Sequence, residues 1–150
     1  IEGIETKYER GGSDRTAADL GILFSKKYHT RIDFEKDSAV LSADPRVVKE
    51  ELENITSLSY NEARIAGMFG MKILDPIAIK EIVENGVEMP IIITDMGRPE
   101  KITTIERKPS EKNGHPLKIV TGKKNCSIVR IEKEASERLF HSLDNDKRYS

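Results

Sequence analysis

Arg10-Gly11-Gly12-Ser13-Asp14 concentrates more usable chemistry than any other run of the chain. Two adjacent glycines let a backbone pass close to a ligand. A helix opening just after Asp14 would aim its free N–H groups at the same point, a favourable place for an anion. The Arg10 guanidinium can hold a carboxylate through two parallel hydrogen bonds, and the Ser13 hydroxyl adds a donor. The same residues equally suit a capped helix after a flexible turn, so the local sequence leaves both readings open. Other candidates carry less. His29, His115 and His141 have no obvious acid–base partner. Cys126 sits within an apolar run and reads as a buried small hydrophobe. Met68, Met71, Met89 and Met96 read as core filler, and Lys26-Lys27 and Lys123-Lys124 as solvated surface.

The elements that must position such a site can be traced along the chain. Asp14 is expected to cap a helix over about 15–28, with Ala17, Ala18, Leu20, Ile22, Leu23 and Phe24 as its apolar surface. The alternation in 31–35 predicts a strand, with a second short extended piece over 38–41. Asp44-Pro45 marks a turn or a helix start. Ser59 with Glu62 forms a capping-box pattern that opens a helix over about 60–70, ended or bent at Gly70. Met71-Lys72-Ile73-Leu74 predicts a short strand, and Asp75-Pro76 a helix running to about Asn85, with Gly86 as its left-handed terminator. The branched apolar run 89–94 predicts a buried strand, and 102–105 another. Residues 106–116 are polar and carry two prolines and a glycine, the composition of a linker. Beyond it, 126–131 predicts a strand and 134–143 a helix. Strands alternating with helices before residue 105 predict a layered α/β fold.

Composition bounds the function. With 25 Lys+Arg against 26 Asp+Glu the net charge is −1, so a broad basic surface for nucleic acid is not expected, although a local phosphate pocket is compatible. One cysteine excludes an internal disulfide and a cysteine-based zinc site, and three scattered histidines form no ligand pattern. No apolar run approaches the roughly 20 residues of a membrane span, and no signal peptide opens the chain. A cytoplasmic protein is expected. The chain opens on Ile1 in mid-pattern, which leads us to expect an upstream portion.

A resemblance becomes specific at this point. Arg10-Gly11-Gly12-Ser13-Asp14 with Thr16-Ala17 resembles the GRGGSD-x-TA segment of aspartokinases. Ser42-Ala43-Asp44-Pro45-Arg46-Val47-Val48 resembles their TADPR-[IV]-V. Ser59-Tyr60-x-Glu62-Ala63 and Phe69-Gly70-Met71-Lys72-Ile73-Leu74-Asp75-Pro76 resemble SY-x-EA and FGAKVLHP, and Met89-Pro90-Ile91 falls at the IPI strand. These motifs stand in family order over about residues 3–105. His115-Pro116-Leu117-Lys118 and 126–131 resemble the approach to the first ACT domain. The resemblance therefore implies the C-terminal lobe of an amino-acid-kinase-type αβα sandwich over 1–105, a linker over 106–116, and an incomplete ACT-like α+β regulatory module over 117–150.

The resemblance also implies roles. Arg10, Gly11, Gly12, Ser13 and Asp14 would form the substrate side. Arg46, Lys72, Glu35, Lys36 and Leu41 would lie on the nucleotide side, with Lys72 as the catalytic cation near the transferred phosphate. The implied activity is ATP-dependent phosphorylation of L-aspartate to 4-phospho-L-aspartate, the opening step of lysine, threonine and methionine biosynthesis. ATP and Mg²⁺ would serve as nucleotide and cofactor, with no metal held by the protein alone. Homodimers or higher homo-oligomers through ACT domains are implied, and activity is not expected of this stretch by itself. The sequence departs from the pattern where Glu35-Lys36 replaces a Thr-Asp pair, Ala39 a Gly, Leu41 a Tyr, Asp75 a His and Glu9 a Gly. Those departures carry the alternative, a catalytically impaired kinase-like protein that binds an amino acid and regulates a partner.

Overall fold

The structure, a computed structural model, describes residues 11–109, 118–122, 124–126, 130–132, 135–136 and 138. Among these the chain runs α1 (Gly12–Ser25), β1 (Ile32–Lys36), β2 (Ser57–Ser59), α2 (Tyr60–Met68), α3 (Pro76–Glu84), β3 (Ile91–Asp95) and β4 (Arg98–Glu106). The strands form one mixed sheet in the order β1-β3-β4-β2. β1 and β3 run parallel, with Ile32 opposite Ile91 and Lys36 opposite Asp95. β3 and β4 form an antiparallel hairpin, and β2 lies parallel to β4. The Asp95 carboxylate, 2% exposed, closes the hairpin turn by accepting from the Gly97 and Arg98 amides at 2.9 and 3.0 Å. The C-terminal ends of β1 and β3 therefore meet at one end of the sheet, where the Met96 amide donates to the Lys36 carbonyl at 2.9 Å.

The helices form a layer in which α3 packs against both α1 and α2. Ile79 and Ile82 of α3 join Ile91, Ile93, Ile105 and Leu58 of the sheet in one buried cluster, with Ala63 and Ala66 supplying the α2 face. Small residues on α2 let the helix approach the strands closely. Ser59 caps α2 as its sequence predicts: its side chain accepts from the Glu62 amide, and the Glu62 carboxylate accepts from the Ser59 amide. Tyr60 then ties the start of α2 to the entrance of β3. Its buried hydroxyl donates to the Met89 carbonyl at 2.6 Å and accepts from the Met89 amide at 3.1 Å. Burial pushes the Tyr60 phenol above its ordinary range.

Several expectations are corrected. Residues 71–74 form no strand: Met71, Ile73 and Leu74 are buried and Lys72 is exposed, but among the described residues no strand pairs with them, and the Ile73 carbonyl accepts from the Lys36 ammonium instead. Helix α1 opens at Gly12, three residues earlier than expected, and its buried residues are Ala18 and Gly21, while Leu20, Leu23 and Phe24 are exposed. Burial at Gly21 reflects contact: an added Cβ would stand 2.6 Å from the Met89 thioether. Asp14 does not cap α1; it sits in the first turn and turns outward to α3. The strand expected over 89–94 is Ile91–Asp95 and alternates, with Ile92 and Thr94 half-buried. Met71 and Met89 enter the core, whereas Met68 and Met96 are exposed. Cys126 is exposed rather than buried. β2 was not legible in advance, being three residues long. Residues 127–129 of the expected strand, most of 134–143 and residues 110–117 lie outside the described residues.

Candidate functional site

Two loops and two helix starts converge at the end of the sheet where β1 stops. Gly11 precedes α1 with φ +90°, a left-handed conformation that a side chain resists. Space also demands glycine there: an added Cβ would lie 2.1 Å from the Asp75 Oδ2. Asp75 caps α3 by accepting from the Ile77 amide at 2.8 Å, with Pro76 as the first helical residue. Its other oxygen accepts from Arg15 Nε at 2.9 Å. The Asp75 amide in turn donates to Asp14 Oδ2 at 2.9 Å. The starts of α1 and α3 are thus bolted together through Asp14, Arg15 and Asp75.

β1 delivers the next charge. Its period-two burial leaves Ile32, Phe34 and Lys36 half-buried and Asp33 and Glu35 exposed. The Lys36 ammonium donates to the Ile73 carbonyl at 2.8 Å, stands 3.5 Å from Asp14 Oδ2, and lies 5.3 Å from the Phe34 ring centroid. The loop after β1 carries Asp44-Pro45-Arg46. Arg46 Nε reaches both oxygens of Asp44, at 2.9 and 3.1 Å, and Arg46 Nη2 also contacts Asp44 Oδ2. The side-chain and backbone hydrogen bonds from Arg46 draw the Asp44 carboxyl down to about 2, with a smaller pull from the nearby Lys72 charge. The same pair raises the pKa of Arg46. Lys72 follows Gly70, whose φ of +102° ends α2 while the Met71 amide reaches back to the Ala66 carbonyl at 3.0 Å.

These groups wall two adjoining cavities. The first, of about 460 Å³, is lined by Glu35, Lys36, Leu41, Arg46 and Lys72 together with Val40, Ile93 and Met96. The second, of about 560 Å³, is lined by Gly11, Asp14, Arg15 and Asp75. Lys36, Arg46 and Lys72 border both. One space is therefore largely apolar with a charged rim, the other is built from the two helix starts, and three cations stand where they meet. All five residues expected on the nucleotide side line the first cavity. Of the residues expected on the substrate side, Gly11 and Asp14 line the second. Gly12 and Ser13 stand beside it in the first turn of α1, with Ser13 exposed, and Arg10 lies outside the described residues.

Sequence reasoning missed Arg15, Asp75 and Asp44 as members of this constellation. The Asp75-Pro76 cap signal marked a helix start but could not say that α1 would dock beside it. A second unforeseen feature is the return of residues 118–122. The Val120 amide donates to the Ser42 carbonyl at 2.8 Å, Thr121 Oγ1 donates to the Phe69 carbonyl at 3.1 Å, and Lys118 pairs with Glu62 at 3.1 Å. This segment clasps the two stretches that carry Arg46 and Lys72. Burial raises the Glu62 pKa, but hydrogen bonds from Ser59 and Lys118 outweigh it and leave the carboxyl below its usual range.

The model of the amino acid kinase family matches residues 1–95. The chloroplastic bifunctional aspartokinase/homoserine dehydrogenase 2 of Zea mays is 36% identical over 133 residues, covering 86% of this chain and 14% of that protein. Aspartokinase 1 of Bacillus subtilis is 31% identical over 124 residues, covering 81% of this chain and 29% of that protein. Among solved structures, E. coli aspartokinase III in complex with aspartate and ADP aligns with a TM-score of 0.52 at 28% identity, over 66% of this chain and 21% of that one. Clostridium acetobutylicum aspartate kinase aligns with a TM-score of 0.53 at 30% identity, over 69% and 23%. The chain thus spans less than a third of the proteins it resembles.

Proposed function

The chain belongs to the amino acid kinase family, and from that premise we propose that it forms the substrate and nucleotide pockets of an aspartate kinase. The observation that carries the proposal is the placing of Lys36, Arg46 and Lys72 on the shared wall of the two cavities. L-Aspartate would occupy the cavity beside Gly11 and Asp14, with Arg10 as its carboxylate clamp. The nucleotide would occupy the more apolar cavity past Glu35, Leu41 and Arg46. The phosphate chain would then end at the junction. There an oxygen of the aspartate side-chain carboxylate bonds to the γ-phosphorus as the bond from that phosphorus to the ADP oxygen breaks. Such a transfer is catalysed mainly by positioning and charge neutralisation, and Lys72 is assigned the part of neutralising cation.

Among the described residues no three His, Cys, Asp or Glu side chains gather into a metal cage. Mg²⁺ would take most of its oxygens from phosphates and water. Glu35, Asp37 and Asp44 line the nucleotide cavity and could each add one carboxylate. Bound Mg²⁺ would supply charge neutralisation on the phosphates. The wider reading places the enzyme in the cytoplasm, in lysine, threonine and methionine biosynthesis, with an ACT-like module after residue 117 and association through it. The clasp of 118–122 over the site loops supports a link between such a module and the nucleotide side. The departures from the family pattern at Glu35, Lys36 and Leu41, all on the wall of the nucleotide cavity, favour the second reading, an impaired kinase-like regulator.

Hydroxylamine trapping of the acyl phosphate tests the proposal on the intact protein. Wild type should give ATP- and aspartate-dependent hydroxamate, and Lys72→Met should lose most of it while aspartate binding stays nearly unchanged. A folded wild type without activity would refute the enzyme and leave the regulator. Activity that survives in Lys72→Met would remove Lys72 from the chemistry.

A further inference from the structure

We infer that Lys36 is a second phosphate-neutralising residue beside Lys72, held at the cavity junction by Asp14 as its positioning partner; the inference rests on the kinase reading above. Lys36 is the last residue of β1, and the strand's alternation sends it to the same side as Ile32 and Phe34. It is not a solvated tail: the side chain is 28% exposed. Of its three N–H donors, one is taken by the Ile73 carbonyl at 2.8 Å and one is directed at Asp14 Oδ2 across 3.5 Å. Among the described residues no third acceptor engages it, and the ammonium borders both cavities. An ammonium fixed before a ligand arrives loses little side-chain freedom on binding it.

A charge count separates the three cations at the junction. Arg46 is satisfied by the Asp44 carboxylate, which it grips through several contacts. Lys72 makes no ion pair among the described residues and is exposed. Lys36 has a partner, but a divided one: Asp14 Oδ2 already accepts from the Asp75 amide at 2.9 Å, the shorter of its two contacts. The positive field at the meeting point of the cavities therefore comes mainly from Lys36 and Lys72. Their separation onto different segments, β1 and the stretch after α2, lets them meet a terminal phosphoryl group from two sides. Phosphate oxygens are stronger acceptors for an ammonium than a shared carboxylate oxygen at 3.5 Å. Asp14 then serves to aim Lys36 rather than to neutralise it.

The alternative is a strut: Lys36 merely braces Asp14 and the Ile73 carbonyl. Calorimetry with ATP, ADP and adenosine, each with Mg²⁺ present, separates the two on wild type, Lys36→Met, Lys36→Gln and Lys36→Arg. Glutamine keeps an N–H donor, one bond shorter than lysine's, and removes the charge, so it stands in should methionine disturb folding as judged by circular dichroism. A phosphate contact predicts that both neutral variants weaken ATP between about tenfold and a hundredfold. ADP should weaken less and adenosine by under about twofold, and arginine should recover part of the loss. Equal weakening of ATP and adenosine, an unchanged ATP affinity, or an effect confined to the aspartate KM would each overturn the inference in favour of the strut. Hydroxamate formation, read in parallel, keeps the two conclusions apart. An inactive wild type that still binds ATP refutes the kinase reading while the ATP-to-adenosine ratio judges Lys36. A wild type that binds no ATP overturns both.

Discussion

Gly11→Ala tests whether the turn before α1 and the start of α3 form one mechanical unit. Two costs act at this position. A left-handed φ of +90° costs an alanine about 1–2 kcal/mol. The new Cβ would also stand 2.1 Å from Asp75 Oδ2, 2.9 Å from its Cγ and 3.1 Å from its Cβ, so the whole carboxylate must move rather than its tip. Moving it frees the Ile77 amide and Arg15 Nε, contacts of 2.8 and 2.9 Å. A lost helix cap costs about 1 kcal/mol, and a lost charged hydrogen bond about 1.5 kcal/mol. The substitution should therefore cost about 4 kcal/mol if Asp75 is displaced, against about 1.5 kcal/mol for backbone strain alone. Native-state hydrogen exchange at the Ile77 amide reads the α3 cap directly, and 2 kcal/mol of local destabilisation speeds it about thirtyfold. In an Asp75→Ala background most of the extra cost should vanish, giving a coupling of about 2 kcal/mol. Additive effects within about 0.5 kcal/mol, with Ile77 protection unchanged in the single variant, would refute the unit.

Tyr60→Phe removes a hydroxyl that serves both the amide and the carbonyl of Met89 in a buried setting, so it should cost roughly 1–3 kcal/mol in urea unfolding of the intact protein. The Asp44 carboxyl should titrate by NMR near 2 rather than at the ordinary 3.8. Its folded pKa is depressed, so the Asp44–Arg46 contribution is present above about 4, declines as pH falls, and is gone below about 2; an Asp44 midpoint at the ordinary value would remove Arg46 as the residue that holds it.

Much of this protein is written locally. Ser59 and Glu62 specify the α2 cap whatever surrounds them, because both halves of the box lie within one turn. Asp75-Pro76, Gly70 and Gly86 mark helix ends because caps and left-handed residues are local backbone requirements. The motif order carried the family and brought Glu35, Lys36, Leu41, Arg46 and Lys72 to one cavity. Other features depend on partners distant in the chain. Residues 71–74 have the branched apolar composition of a short strand, yet a strand needs a neighbour, and only packing reveals that a lysine side chain takes the Ile73 carbonyl instead. Asp14 has the residue type of a cap, but α1 begins two residues before it, and its side chain accepts from the Asp75 amide, 61 positions away. The apolar residues of α1 split between core and surface according to where Met89 and α3 sit, which no window of α1 contains. Side-chain type and local backbone need are set residue by residue. Whether a charge braces the scaffold or faces a ligand is set by which acceptors the fold brings within about 3.5 Å, and that is decided only in three dimensions.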